Sequence, residues 1–451
     1  MNKKKWALLI ISCLVIIACF KLYYKRLQKN VVAASADYIA VLDVKKIINT
    51  IIWQTITTPS RWKASNVFSK DDSTAVDWKD MVEIPDYIQI FHSKNQPIHI
   101  WYTVLTIKDA TDFTTGLKVY DFIKINETEF ENKVLGLHIS VIDKNILLSN
   151  AVEDNGMYNT AIKNELFTQK KYAATQFIDA IVATKSHIAL GITANSFLQN
   201  TSICTANFTN EQIEIKGNFL PKAKYTFTNQ LFNFCDTSLC TVGFTQNAIN
   251  TLTNINDSTK ISISKALNIN TDSFFLQSNE QYMANITGFL PRVDSAITYT
   301  YDDDFNAKEK VVVNTITEPA YQFTASGNGA NNMFTYLQKS RKVEPTILGN
   351  LFTAIPFVKS YCSVLNNTQL QITANNYTTT VANKKVEAIA FVQLLVDKIP
   401  VSLIKYLPTD ISASLTNIKS VQIKIYKQAN PIIVECIFYK KDKALPYFGG
   451  F

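Results

Sequence analysis

The chain has 451 residues, 47% of them apolar and 18% charged, with a net charge of +8, a balance that folds rather than staying disordered. Seven of its 45 Lys and Arg lie in residues 1–30, which hold no acid, so that 38 basic residues face 37 acidic ones in the rest. A body so nearly neutral offers no electrostatic footprint for nucleic acid, and 12 glycines in the whole chain argue against glycine-punctuated repeats and glycine-rich phosphate loops.

Trp6 to Phe20 carries no charge, but at ~1.5 Å per residue it covers only about 22 Å of a ~30 Å hydrocarbon core. Lys21, reaching up to the headgroups, and then Leu22, Tyr23 and Tyr24 lengthen it enough for a thinner bilayer. Trp6 and the two tyrosines fall where amphipathic rings mark the interfaces. The expected partner is a lipid bilayer, engaged through residues 6–24. The alternative is lipoprotein processing: Ile16-Ile17-Ala18-Cys19 fits a cleavage box that would leave Cys19 lipidated, although Phe20 and Lys21 are unusual followers and Ile10-Ile11-Ser12-Cys13 fits as well. Basic residues flank the stretch on both sides, so the charge bias nearly cancels. An n-region followed at once by an apolar run is export-like and places the body outside the cytoplasm, as in a periplasm.

Residues 25–35 read as a polar tether. "DYIAVLDVKKIINTII" then predicts a strand, Asp43 as a helix N-cap, and a helix with Val44, Ile47, Ile48, Ile51 and Ile52 in one stripe. Hairpins follow: "YIQIFHS" with "PIHIWYTVL" across Lys94–Gln96, and "LGLHISVI" with "ILLSNA" across Asp143–Asn145. "AITYTY" with "KVVVNTI" across an acidic turn, and "SVQIKIY" with "PIIVECIFY", complete the set. Helices are expected at 174–183, 330–341 and 384–398. "ALGITANSFL" (189–198) echoes "TVGFTQNAIN" (241–250), and Phe219-Leu220-Pro221 echoes Phe289-Leu290-Pro291, which suggests duplicated strand–helix units. The expected architecture is α+β: antiparallel sheets built from hairpins, amphipathic helices on one face, behind one amino-terminal transmembrane helix. Its divisions are an anchor with basic flanks at 1–30 and α+β domains at 31–220 and 221–451.

An export-type segment, a polar tether, "DYIAVLDVKKIIN" and later strand–helix echoes resemble the layout of uncharacterised envelope-anchored proteins of Gram-negative bacteria. That resemblance implies a location and a fold class and supplies no active site.

No pattern fixes a chemistry. His92, His99 and His138 fall on candidate strands of one region and invite a test for metal, but no histidine pair has helical ligand spacing and there is no HExxH. "DDDFNAKEK" from Asp302 begins like a calcium loop, then has Ala307 at the sixth position and Val313 at the twelfth. "SGNGANN" matches a dinucleotide fingerprint at Gly327 and Gly329, then has Asn332 in place of the third glycine. Ser-x-x-Lys occurs at Ser60, Ser262 and Ser402 without its partner motifs. Cys235 and Cys240 bracket a short loop that an oxidising compartment would close. No catalytic, cofactor-binding or metal-binding residue is therefore assigned, no cofactor is expected, and enzymatic activity is the weaker reading. The function expected is a membrane-anchored envelope protein with a binding or scaffolding role. The alternatives are a carrier or sensor of an apolar ligand in a sheet–helix pocket, and a hydrolase whose acids come from distant strands.

Overall fold

A computed structural model describes residues 24–57, 77–151, 156–255, 279–301, 305–355, 358–377, 382–404 and 417–441, with single positions between 261 and 274 and at Leu415. The expected span, apart from Tyr24, and Cys19 lie outside the described residues. Among the described residues no helix is long and apolar enough to cross a membrane. The chain divides into two compact units, the first running to Leu220 and the second from Pro221 to Asp442.

In the first unit β1 (Ala36–Asp43) leads directly into α1 (Val44–Thr57). Asp43 Oδ1 accepts from the Lys46 amide at 2.8 Å, satisfying an orphan donor of the first turn. There follow α2 (Trp78–Met81), β2 (Val82–Glu83), β3 (Tyr87–Ser93), β4 (Tyr102–Ile107) and α3 (Ala110–Val119). A meander of β5 (Ile123–Lys124), β6 (Glu129–Asn132), β7 (Leu137–Ile142) and β8 (Asn145–Ser149) comes next, then α4 (Met157–Lys163), α5 (Thr175–Val182), β9 (Ile188–Ile192), β10 (Ser202–Phe208) and β11 (Gln212–Phe219). Sheet neighbours run β11–β10–β9–β1–β3–β4–β8–β7–β6–β5, all antiparallel, with β2 on β4. The core centres on Ile39, Phe91, Ile100, Tyr102, Leu147 and Ile181. Gly191 lets α5 press onto β9: a Cβ there would lie 2.4 Å from Ile181 Cδ1. Residues 25–35 are not a tether. Val32 and Ala33 are buried in this core, and the Ala173 amide donates to the Val32 carbonyl at 3.0 Å.

The second unit contains β12 (Gln230–Phe234), β13 (Cys240–Thr245), α6 (Gln246–Ile255), β14 (Gln281–Tyr301), β15 (Ala307–Ser326) and α7 (Ala330–Lys339). Its meander is β16 (Val343–Thr346), β17 (Gly349–Phe352), β18 (Ser360–Leu365) and β19 (Gln369–Ala374), followed by β20 (Lys384–Ala388), β21 (Ala390–Leu395), α8 (Val401–Ile404), β22 (Ile418–Lys427) and β23 (Ile432–Lys440). Neighbours run β23–β22–β21–β13–β14–β15–β19–β18–β17–β16, again all antiparallel, while β12 pairs with β20 apart.

Strand for strand, the two orders are the same. Details repeat as well: Thr245 Oγ1 accepts from the Ala248 amide at 3.4 Å as Asp43 does from Lys46. Helices α3 and α7 both end on a left-handed residue, Asp121 and Arg341, each at φ 56°. The next amide then returns to the helix, Phe122 to Leu117 and Lys342 to Leu337, each at 2.8 Å, a Schellman-type closure. The sequence echoes do not mark this repeat. After β9, Asn195 Oδ1 collects the amides of Phe197 and Leu198 in a turn where the echo requires a helix, and Phe219 ends β11 whereas Phe289 lies within β14.

The expected α+β architecture is corrected by these observations. Among the described residues strands account for 47% against 21% for helices, and the fold is mostly antiparallel sheet. The helix expected at 384–398 is β20 and β21 with a single 3-10 turn, because Ala388, Phe391 and Gln393 are buried in strand alternation. Helix α1 leaves much of its apolar stripe uncovered, with Ile48 and Ile52 exposed.

A candidate docking arm

Within that shared strand order one hairpin differs markedly in length. The hairpin β3–β4 has strands of 7 and 6 residues; its counterpart β14–β15 has strands of 21 and 20. Only the base of β14–β15 is built into the sheet, Gln281–Ile286 against β13 and Gln322–Ser326 against β19. Beyond it, Gly288 to Tyr301 pairs with Ala307 to Ala320 alone, so that both edges stand open among the described residues.

One face of the ribbon is largely apolar and exposed. Alternation puts Val293, Ser295, Ile297 and Tyr299 on one face with their cross-strand partners Thr315, Val313, Val311 and Glu309. Val293, Ile297, Tyr299, Val311 and Val313 are each between 59% and 68% exposed, together on the order of 500 Å² of open surface, the size at which apolar patches on monomers are commonly functional. The opposite face is mixed: Arg292, Thr298, Thr300, Lys308, Lys310 and Asn314 share it with Ala296, Val312 and Ile316. An Arg292 Nη1–Glu318 Oε1 pair at 2.8 Å ties the two strands near the base, and Pro291 and Pro319 withhold donors from the open edges there. Asp302 to Asp304, where the calcium-like loop begins, fall outside the described residues.

The other residues singled out by sequence do not converge. His92 Nδ1 lies 2.7 Å from Asp37 Oδ1, and its Nε2 lies 3.2 Å from the carbonyls of Gln96 and Pro97. His99 is exposed. His138 Nε2 faces Glu129 Oε2 at 3.3 Å, and burial lowers its pKa. Glu129 also accepts from Ser140 Oγ at 2.6 Å and from Lys163 Nζ at 2.5 Å. Among the described residues no three His, Cys, Asp or Glu are placed to hold a metal ion. Gly327, with φ 141°, is where β15 turns into α7; a Cβ there would lie 2.6 Å from the Glu280 amide nitrogen, so close backbone approach accounts for this glycine. No disulfide joins Cys235 to Cys240. Burial pushes the Cys204 thiol up to about 11 and that of Cys362 to about 12, the opposite of a reactive cysteine.

Among the described residues, two hollows that open to solvent have charged walls. One of about 760 Å³ in the first unit is lined by Arg26, Lys29, Glu83 and Asp86 among others. One of about 490 Å³ in the second unit carries Lys384, Lys385, Lys424 and Asp236 beside Phe234 and Phe391. Charged walls of this kind do not suit an apolar ligand. Sequence reasoning flagged the hairpin around the acidic turn but not its freedom from the sheet; the signal was two alternating runs longer than a hairpin embedded in a sheet requires. No family model, curated protein or solved structure matches the chain.

Proposed function

We propose that the chain is a non-catalytic scaffolding protein of the cell envelope, held to a bilayer through residues 6–24 with its body outside the cytoplasm, whose copies associate through the β14–β15 arm. The observation that carries this reading is the arm itself: the same hairpin that suffices to complete the first unit is extended in the second into a ribbon with an uncovered apolar face.

The occupant that fits is a second arm. A face of β-branched and aromatic residues packs against its own copy as sheets stack, about 10 Å apart. Two such faces bury roughly 1,000 Å², at the lower bound for a specific interface. Confinement of the copies to one bilayer would compensate for that small area by raising their effective concentration.

The test is the mass of the full-length chain in detergent micelles. The wild-type chain is expected to be dimeric and Ile297→Lys monomeric; because Ile297 is 61% exposed, the substitution should leave stability within about 0.5 kcal/mol. A monomeric wild-type chain, or an Ile297→Lys dimer, would refute the reading.

A further inference from the structure

Helix α1 presents a second uncovered apolar surface, in the other unit. Lys45, Ile48, Asn49, Ile52 and Trp53 share a face by helical spacing, and Ile48, Ile52 and Trp53 are 47%, 48% and 66% exposed. The flank beside it is fastened to the unit: Thr50 Oγ1 meets His187 Nε2 at 2.8 Å, and Lys46 Nζ donates to the Lys185 carbonyl at 2.6 Å. The helix contains no acidic residue.

The start of α1 is also where the chain arrives from its amino-terminal segment. Lys45 Nζ donates to the Tyr24 carbonyl, Lys25 pairs with Asp43, and the Arg26 amide donates to Asp86 Oδ2 at 2.7 Å. Phe20, the last residue of the uncharged run, is four positions from Tyr24, a reach of at most about 14 Å. Lys25, Arg26, Lys45 and Lys46 therefore gather around Asp43 and Asp86 at one end of the helix, a cluster with an excess of positive charge that anionic headgroups attract. The repeat supplies a control. In α6, the counterpart of α1, the positions of Ile48 and Ile52 are taken by Asn250 and Asn254 while Ile255 takes that of Trp53, so the apolar face of α1 is not kept in its counterpart.

We infer that α1 lies in the bilayer interface with Ile48, Ile52 and Trp53 among the acyl chains, fixing the first unit against the membrane. A short amphipathic helix with lysines at its flank and an aromatic ring on its apolar face has the composition of an interfacial helix. The inference rests on the bilayer tether proposed above, and the experiment separates the two. The full-length chain carrying a photo-crosslinking phenylalanine at position 53, or at position 134 as an exposed control, is reconstituted into phosphatidylcholine–phosphatidylglycerol vesicles, floated and irradiated. Flotation tests the tether; a chain that fails to float removes both readings. In floated chains, lipid adducts at position 53 several-fold above those at position 134 are expected. Equal yields at the two positions, or adducts at 53 only to polypeptide, would overturn the interfacial helix and leave the tether standing.

Discussion

Replacing His187 by Gln should remove an acid-sensitive contribution to the stability of the first unit. His187 is 4% exposed, and its Nδ1 accepts from the Phe208 amide at 3.2 Å, which leaves the proton on Nε2, donating to Thr50 Oγ1 at 2.8 Å. Burial first, and the nearby Lys46 charge second, hold the pKa down to about 4. The unfolded chain titrates near ~6.5 and so binds the proton first as the pH falls. The contribution is therefore complete above ~6.5, declines below it, and levels off below about 4. Linkage makes the loss about 2 kcal/mol at pH 5 and about 3 kcal/mol at pH 4. Glutamine keeps an acceptor and a donor on one side chain but does not titrate. The assay is hydrogen exchange of the β9–β10 segment between pH 7 and pH 4.5, corrected for intrinsic exchange rates. The wild-type chain should lose protection across this window and His187→Gln should lose distinctly less. The same pH profile in both, or a His187 imidazole that titrates near ~6.5 by NMR, would refute the reasoning.

Two further outcomes follow from packing. Gly243→Ala should destabilise the second unit by about 1–3 kcal/mol in urea unfolding, because the new Cβ would lie 2.2 Å from Phe391 Cε1, a ring already packed on Phe232 at 5.2 Å. Leu117→Ala and Leu337→Ala occupy the same place in the repeat and are both buried; each should cost about 2–5 kcal/mol, read as lost exchange protection in α3 and α7, each in its own unit.

Local signals in the sequence located much of the secondary structure. Asp43 stands at the junction of β1 and α1 because a short carboxylate can cap a helix it does not enter. The Asp143–Lys144 turn between β7 and β8 follows from Asp143, which takes φ 53°, and the helix expected at 330–341 is observed as Ala330–Lys339. What failed was any inference needing to know which face a residue buries. The run 384–398 places apolar residues at spacings that suit a helix as well as two short strands, and only their partners, β12, β13 and β22, decide. The repeat was illegible for the same reason. Residues 103–124 and 323–344 run in step, yet share only Ala110/Ala330, Thr115/Thr335 and Leu117/Leu337, since a register and a buried position can be kept by many apolar residues. The open face of the arm was hidden because alternation predicts a strand without saying whether a second layer covers it.

The self-association of the arm is tested most directly by a photo-crosslinking phenylalanine at position 297 in the full-length chain, irradiated in vesicles and mapped by mass spectrometry. The scaffolding account predicts a covalent dimer in which position 297 is joined to the 293–313 segment of another copy. Adducts only to lipid or to an unrelated polypeptide, or a product that stays monomeric, would contradict it.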